Sequence, residues 1–231
     1  MHSLTHLACI MDGNRRWATS RGMMPWAGHQ EGVIAVRRTI AWCLSKQVRF
    51  LSLYAFSLEN LSRPEHEKRV IFDLLVTKTE EELPHLLEHG VRVSFVGDRT
   101  LFGSDILRRC QQMEHATAHC KALILSVLFC YGARQEIVAA AQKLAQQAAN
   151  SQIDPSSITV DMFKHELWTG DIPDPDLIIR TGGYARLSNF MLFQAAYAEL
   201  YITHTLWPDM NDNEFDQAYQ FFEESKRNFG R

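Results

Sequence analysis

His6-Leu7-Ala8-Cys9-Ile10-Met11-Asp12-Gly13-Asn14-Arg15-Arg16-Trp17-Ala18 is the stretch that decides the fold. Residues 7–11 form an unbroken apolar run, the pattern of a strand buried on both faces. The run stops at Asp12-Gly13-Asn14, which is turn chemistry. Similar runs recur along the chain at 49–55, 91–96, 122–129, 176–180 and 200–203. Helical stretches separate them. Residues 29–46 carry a face of Val33, Val36, Arg37, Ile40 and Leu44, and Pro64 opens a long helix that runs to about 89. Further helices are predicted over 101–119, 135–149, 160–168 and 212–228, with a polar break at 150–157 and a turn at Pro173-Asp174-Pro175. Strand and helix alternate, so the fold class is α/β, a single domain over 1–231. Its central, mostly parallel sheet has about six strands flanked by helices.

In such a sheet ligands bind just beyond the carboxyl ends of the strands. There the first strand places one carboxylate, a glycine-permitted loop and two guanidinium groups. That mixture suits a metal-bridged phosphate, with Asp12 for Mg²⁺ and loop N–H groups and arginine forks for the oxygens.

Bulk properties narrow the classes. The 231 residues are 46% hydrophobic and carry a net charge of −3, which argues against general nucleic-acid binding. Residues 1–70 hold 10 Lys+Arg against 5 Asp+Glu, and the remainder 14 against 22. A basic first third fits an anionic ligand; a chance excess on solvated helix faces fits equally well. The five cysteines form no C-x-x-C pair and read as buried free thiols in a reducing cytosol. No signal peptide, spanning segment or zinc pattern is expected, so the predicted location is cytoplasmic.

Two more strand ends carry functional residue types. After the second come Ser57, Leu58, Glu59, Asn60, Leu61, Ser62 and Arg63. A helix-capping loop explains Ser62 and Glu65 but not Glu59, Asn60 and Arg63 together. After the fifth come Arg180, Thr181, Gly182, Gly183, Arg186, Leu187 and Ser188, a second possible anion cradle. Glu199 is a carboxylate in an apolar aromatic run, either a metal ligand or half of a structural ion pair. His29 opens the first long helix and either touches a phosphate or caps the helix. No G-x-x-x-x-G-K-[ST] loop, G-x-G-x-x-G fingerprint, G-x-S-x-G elbow or D-D-x-x-D cluster occurs.

These residues, in this order, resemble the cis-prenyltransferases, and among them the bacterial undecaprenyl diphosphate synthases. The resemblance rests on Asp12-Gly13-Asn14-Arg15-Arg16-Trp17-Ala18, Gly28-His29, Tyr54-Ala55-Phe56-Ser57 with Glu59-Asn60, and Arg63-Pro64. It continues through Ile179-Arg180-Thr181-Gly182-Gly183, Arg186-Leu187-Ser188-Asn189-Phe190 and Ala196-Tyr197-Ala198-Glu199-Leu200-Tyr201. It implies a homodimer with a hydrophobic tunnel, condensing isopentenyl diphosphate repeatedly onto an allylic diphosphate, usually farnesyl diphosphate. Asp12 then handles Mg²⁺ and diphosphate. Gly13, Asn14, Arg15 and Arg16 form the allylic diphosphate loop, and Trp17 and His29 contact substrate. Ser57, Leu58, Glu59, Leu61 and Arg63 belong to the next loop, where Asn60 is the proposed proton acceptor. Arg180, Arg186, Leu187 and Ser188 bind isopentenyl diphosphate, and Glu199 is the second metal-binding carboxylate.

The chain departs from the family pattern in places. Arg15 stands where Gly is frequent, Pro25 where Arg is frequent (with Arg21 as a partial substitute), and Leu61 where Trp is common. Tyr184 replaces a usual Glu, Cys130 a frequent Asn, Ala133 a frequent Gly and Asn228 a common Arg. The segment 63–98 shows no insertion relative to medium-chain members, which implies a product of about eleven isoprene units. Release of so apolar a product implies transient contact with a membrane surface, although no basic amphipathic anchor is evident. A non-catalytic partner subunit of the same fold, or an unrelated phosphate-binding module, are the competing readings. The first tends to lose the aspartate and arginines that this chain keeps.

Overall fold

The computed structural model describes residues 3–225. Its sheet contains six strands: β1 (His6–Ile10), β2 (Phe50–Ser57), β3 (Val91–Val96), β4 (Leu123–Tyr131), β5 (Leu177–Arg180) and β6 (Glu199–Ile202). All neighbours are parallel, in the order β3-β4-β2-β1-β5-β6. β1 runs to β2 on one side while β5 runs to β6 on the other. The chain therefore switches direction between β1 and β5, and a crevice opens beyond their carboxyl ends.

Seven helices cover the sheet: α1 (Asn14–Ser20), α2 (Ala27–Ser45), α3 (Glu65–Glu88), α4 (Ser104–Thr117), α5 (Ala133–Ala149), α6 (Val160–Glu166) and α7 (Asp212–Glu224). Alternate strand residues point to opposite faces. Leu7, Cys9, Leu51, Leu53, Leu125 and Ile179 pack with residues of α2, α4 and α7, including Ile40, Met113 and Phe215. Ala8, Ile10, Leu128 and Ile178 pack on the opposite face with Ala133, Phe190 and Met191. All five cysteines are buried and free. Among the described residues no helix is long and apolar enough to cross a membrane.

The strands and long helices sit within a few residues of their predicted places. One element is new: α1, where a loop is the sequence reading. Gly13 at φ 112° turns the chain out of β1, and the backbone N–H of Trp17 then donates to the Gly13 carbonyl at 2.8 Å. The predicted last helix ends at Glu224 among the described residues; its proposed extension to 228, and Asn228 itself, lie outside them.

His6 shows what the sheet demands of a polar side chain. It is fully buried in β1, its Nδ1–H donating to the Pro173 carbonyl at 2.7 Å and its Nε2 accepting from the Ser52 hydroxyl at 2.9 Å. Burial pushes its pKa down to about 4. The unfolded chain takes up that proton near pH 6.5, so stability falls as pH drops from about 6.5 towards 4. The loss is on the order of 3 kcal/mol for one such histidine. His29 is depressed to a similar value. Urea midpoints measured from pH 7 to pH 4.5 should fall steeply, and His6→Asn should flatten the slope by about half.

Candidate active site

Three strand ends meet at the crevice. Asp12 is the centre. Its Oδ2 accepts from Arg180 Nη2 at 2.9 Å and its Oδ1 from Arg16 Nη2 at 3.2 Å. Arg16 also donates to the Gly182 carbonyl at 2.9 Å. A Cβ at Gly182, whose φ is 81°, would stand 2.2 Å from Arg16 Nη2. The Gly-Gly turn is thus small because the guanidinium passes through its space. Arg180 is almost wholly buried, with a side chain 4% exposed. It donates to Ser188 Oγ at 2.7 Å and to the Arg186 carbonyl at 2.5 Å. A buried cation is tolerable when paired in this way.

The β2 loop is bound to the same place. β2 is irregular between Tyr54 and Ser57, and such irregularities commonly re-aim side chains near sites. Asn60 Oδ1 accepts from the Ser57 backbone N–H at 3.4 Å. Glu59 accepts from Asn189 Nδ2 at 2.8 Å, while Asn189 Oδ1 accepts from the Arg134 backbone N–H at 2.8 Å. Asn189 therefore ties the loops after β2, β4 and β5 together. It adopts φ 64°, a conformation that Asn tolerates better than most residues, and Ser188 beside it sits at φ 50°.

The α1–α2 side supplies the remaining wall. A Cβ at Gly28 would stand 1.9 Å from the Asn14 carbonyl oxygen, so α2 is seated directly on the start of α1. This contact brings His29 beside Asn14. Burial, reinforced by the Arg63 charge, lowers the His29 pKa to about 4, so it is neutral at pH 7. Glu67, in the first turn of α3, accepts from Arg63 at 2.9 Å and pairs with Arg15 at 3.6 Å. Among the described residues, Asp12, Arg63, Arg180 and Arg186 face the crevice.

Behind the mouth lies a cavity of about 470 Å³. Asp12, Asn14, His29, Ser57, Asn60, Arg63, Arg180, Arg186 and Ser188 line its polar end. Its body is mainly apolar, running between α2, α3 and the sheet past Val33, Val36, Ile40, Leu53, Ile71 and Leu86 to Phe95, Met113 and Leu125. Three buried polar atoms at the mouth have no partner: Asn14 Oδ1, His29 Nε2 and Arg180 Nε. Buried polar groups are nearly always satisfied, so these mark a place where a polar ligand completes the hydrogen bonding.

Not every predicted site residue reaches the cavity. Leu58 and Leu61 pack on the core. Leu187 packs on the opposite core face, beside Phe190 and Met191. Trp17 donates to Asp209 at 2.6 Å under the Arg21 guanidinium, and Arg21 pairs with the same carboxylate. Glu199 is the clearest separation. It is level with Leu177, whereas Asp12 follows Ile10, which is level with Arg180. That offset is on the order of 15 Å along the strands. One chain does not bring the two carboxylates to one ion. Conversely, sequence reading omitted Tyr54, which lines the cavity and whose ring stacks on Phe190 at 4.8 Å, and Asn189 as a cross-link. Both had a sequence signal, Asn189 in the Leu-Ser-Asn-Phe run and Tyr54 in the Tyr-Ala-Phe-Ser run that ends the second strand.

A polar, arginine-rich mouth opening into an apolar bore defines a protein that handles phosphate esters of lipids. A family model described as putative undecaprenyl diphosphate synthase matches residues 10–230. The ditrans,polycis-undecaprenyl-diphosphate synthase ((2E,6E)-farnesyl-diphosphate specific) of Coxiella burnetii is 38% identical over 225 residues, covering 97% of this chain and 95% of that protein. The enzyme of the same name from Xanthomonas axonopodis pv. citri is 41% identical, covering 97% and 88%. Among solved structures, lavandulyl diphosphate synthase from Lavandula x intermedia, in complex with dimethylallyl diphosphate, superposes with a TM-score of 0.96 at 29% identity. The match covers 99% of each chain. A probable undecaprenyl diphosphate synthase from Campylobacter jejuni gives a TM-score of 0.83 at 32% identity over the whole of both chains. This chain belongs to the undecaprenyl diphosphate synthase family of prenyltransferases.

Asn189→Ala should loosen three loops at once. The expected result is a fall in kcat/KM of about 10- to 100-fold, 1.4 to 2.8 kcal/mol of transition-state stabilisation. The fall should come with a drop of only a few degrees in Tm, both measured on the purified protein.

Proposed function

We propose that this protein condenses isopentenyl diphosphate successively onto an allylic diphosphate, farnesyl diphosphate, with cis geometry, to give undecaprenyl diphosphate. Cell-wall synthesis uses that product as a lipid carrier. The observation that carries the reading is the join between mouth and bore: unpartnered buried polar atoms and arginines at one end, and mainly apolar side chains along the rest of the cavity. Diphosphates would be held at the mouth and the growing chain laid inward. Arg180, Arg186 and Ser188 form one anion cradle. Asn14, Arg15, Arg16, Arg63 and His29 form the other, with Gly13 giving the loop its turn. As the allylic carbon–oxygen bond lengthens, negative charge gathers on the departing diphosphate. Fixed guanidinium groups at a partly buried mouth stabilise that charge.

Mg²⁺ fits the donor set. Asp12 offers a partly exposed carboxylate at the mouth, and this cation is commonly held by one or two carboxylates together with substrate phosphates. When bound it would neutralise diphosphate charge. Glu199 takes part as a metal ligand only if a second copy of the chain supplies it. Asn60 is a poor base by itself; its amide orients transfer to a diphosphate oxygen of the proton that C2 of the isopentenyl unit loses as the new double bond forms. Asn60→Ala should therefore cut kcat at least 100-fold with KM changed less than about threefold. Equal losses in both would assign Asn60 to binding instead.

A homodimer accords with the exposed apolar side chains of the β6 edge, Leu200 at 45% and Ile202 at 37%, beside Tyr197 at 71%. An uncovered apolar edge strand is otherwise a liability. The same reading makes the enzyme cytosolic, with its product passing to a membrane surface.

The test combines the protein with Mg²⁺, farnesyl diphosphate and labelled isopentenyl diphosphate, followed by chromatographic sizing of the extracted lipid. A product of about eleven isoprene units that vanishes in Asp12→Ala is expected. A product of a single condensation would overturn the reading. Sedimentation of Leu200→Glu at micromolar concentration should show monomer where the parent shows dimer.

A further inference from the structure

The wall of the bore contains one group of charges where apolar side chains would be expected. Along α3, Leu74, Lys78, Glu82 and Leu86 follow at intervals of four and all line the cavity. Such spacing puts them on one stripe of the helix. Opposite, Val33, Val36, Arg37 and Ile40 line it from α2. Lys78 pairs with Glu81 on its own helix. Arg37 and Glu82 instead meet across the gap. Arg37 Nε donates to both carboxylate oxygens of Glu82 at 2.8 Å and Nη2 donates to Oε1 at 2.5 Å. The Glu82 side chain is 14% exposed and that of Arg37 51%.

The position of this pair matters more than its strength, which partial exposure limits. α2 rests on α1, α7 and the turn at Trp207, whereas α3 rests on α4 and β3. The two helices are carried by different parts of the fold, and the cavity lies between them. Glu82 also stands two residues before Pro84, which donates no backbone hydrogen bond to the helix ladder. The seam is therefore joined by a charged fork next to the weakest point of α3.

Resting on the reading that the cavity holds the growing prenyl chain, we propose that the Arg37–Glu82 pair is a latch across the α2–α3 seam that sets product length. With the latch closed, the chain is confined to the apolar bore and elongation stops when the bore is full. With it open, the hydrocarbon passes sideways between the helices and further units are added. Arg37 and Glu82 are specificity-determining residues and touch neither diphosphate.

The experiment sizes the lipid made from farnesyl diphosphate and labelled isopentenyl diphosphate by the parent chain, R37A, E82A, E82Q and the charge-swapped R37E/E82R. Each single variant should extend the longest product by at least one isoprene unit and broaden the distribution; the swap should return it to the parental length. E82Q keeps the shape and a hydrogen bond, and supplies the answer if the alanine variants fail to fold. Unchanged or shorter products in the single variants would overturn the latch, as would lengthening that the swap does not reverse. A parent chain that makes no polyprenyl product would remove the underlying reading and the latch together. Normal parental elongation with unaltered variants would remove the latch alone.

Discussion

The site depends on one carboxylate held between two guanidinium groups. Asp12 lies just past β1 and is gripped by Arg180 from the end of β5 and Arg16 from α1. β1 and β5 are hydrogen-bonded neighbours, so the grip spans the point where the strand order reverses. Each part constrains the others. Arg180 is buried and needs Asp12 and Ser188 Oγ; Ser188 sits there because its loop takes a left-handed turn; Arg16 reaches Asp12 only across a glycine. Loss of the carboxylate would leave a buried cation short of a partner, which is costly in any context. The arrangement is therefore also one that a diphosphate or a cation can join, since the charges are already fixed in place before a ligand arrives.

The same strands make both halves of the cavity. Within the sheet, β2 and β4 present Leu53 and Leu125 to the space under α2 and α3, and these side chains build the bore. Beyond the sheet the ladder hydrogen bonds end and the backbone turns outward, so the next residues are free to be polar: Asp12, Ser57 to Arg63, Thr181 to Asn189. Polarity therefore changes along the cavity without any separate binding domain. A molecule with one charged end and a hydrocarbon tail is favoured in one orientation, because the reverse would take its charge from the arginines of the mouth into a mainly apolar bore.

Much of this was legible in the sequence, and the physical reasons differ by residue. The strands were legible because parallel strands buried on both faces are continuous apolar runs, and Asp12 because a carboxylate directly after such a run has few structural uses. Asn14, His29, Ser57, Asn60, Arg63, Arg180, Arg186 and Ser188 do meet at one mouth. What the sequence concealed were distances set by register. Glu199 sits in a motif as distinct as that of Asp12, yet the pairing of β6 with β5 carries it to the far end of the sheet. Leu58 and Leu61 lie in the right loop but on the inward side of a 3₁₀ turn, where they pack on the core. α1 was hidden because seven residues are too few to show a helical period.

Residues around the mouth tune its charge without adding a carboxylate to it. In the loop before α2, Pro25 is uncharged and Trp26 packs edge-on against His66 at 5.7 Å. Arg15 adds a cation nearby and shares Glu67 with Arg63. Tyr184 has the Arg16 guanidinium 4.8 Å and the Arg186 guanidinium 4.4 Å from its ring. An aromatic face attracts both cations without neutralising either, whereas a carboxylate there would compete with an incoming diphosphate for them.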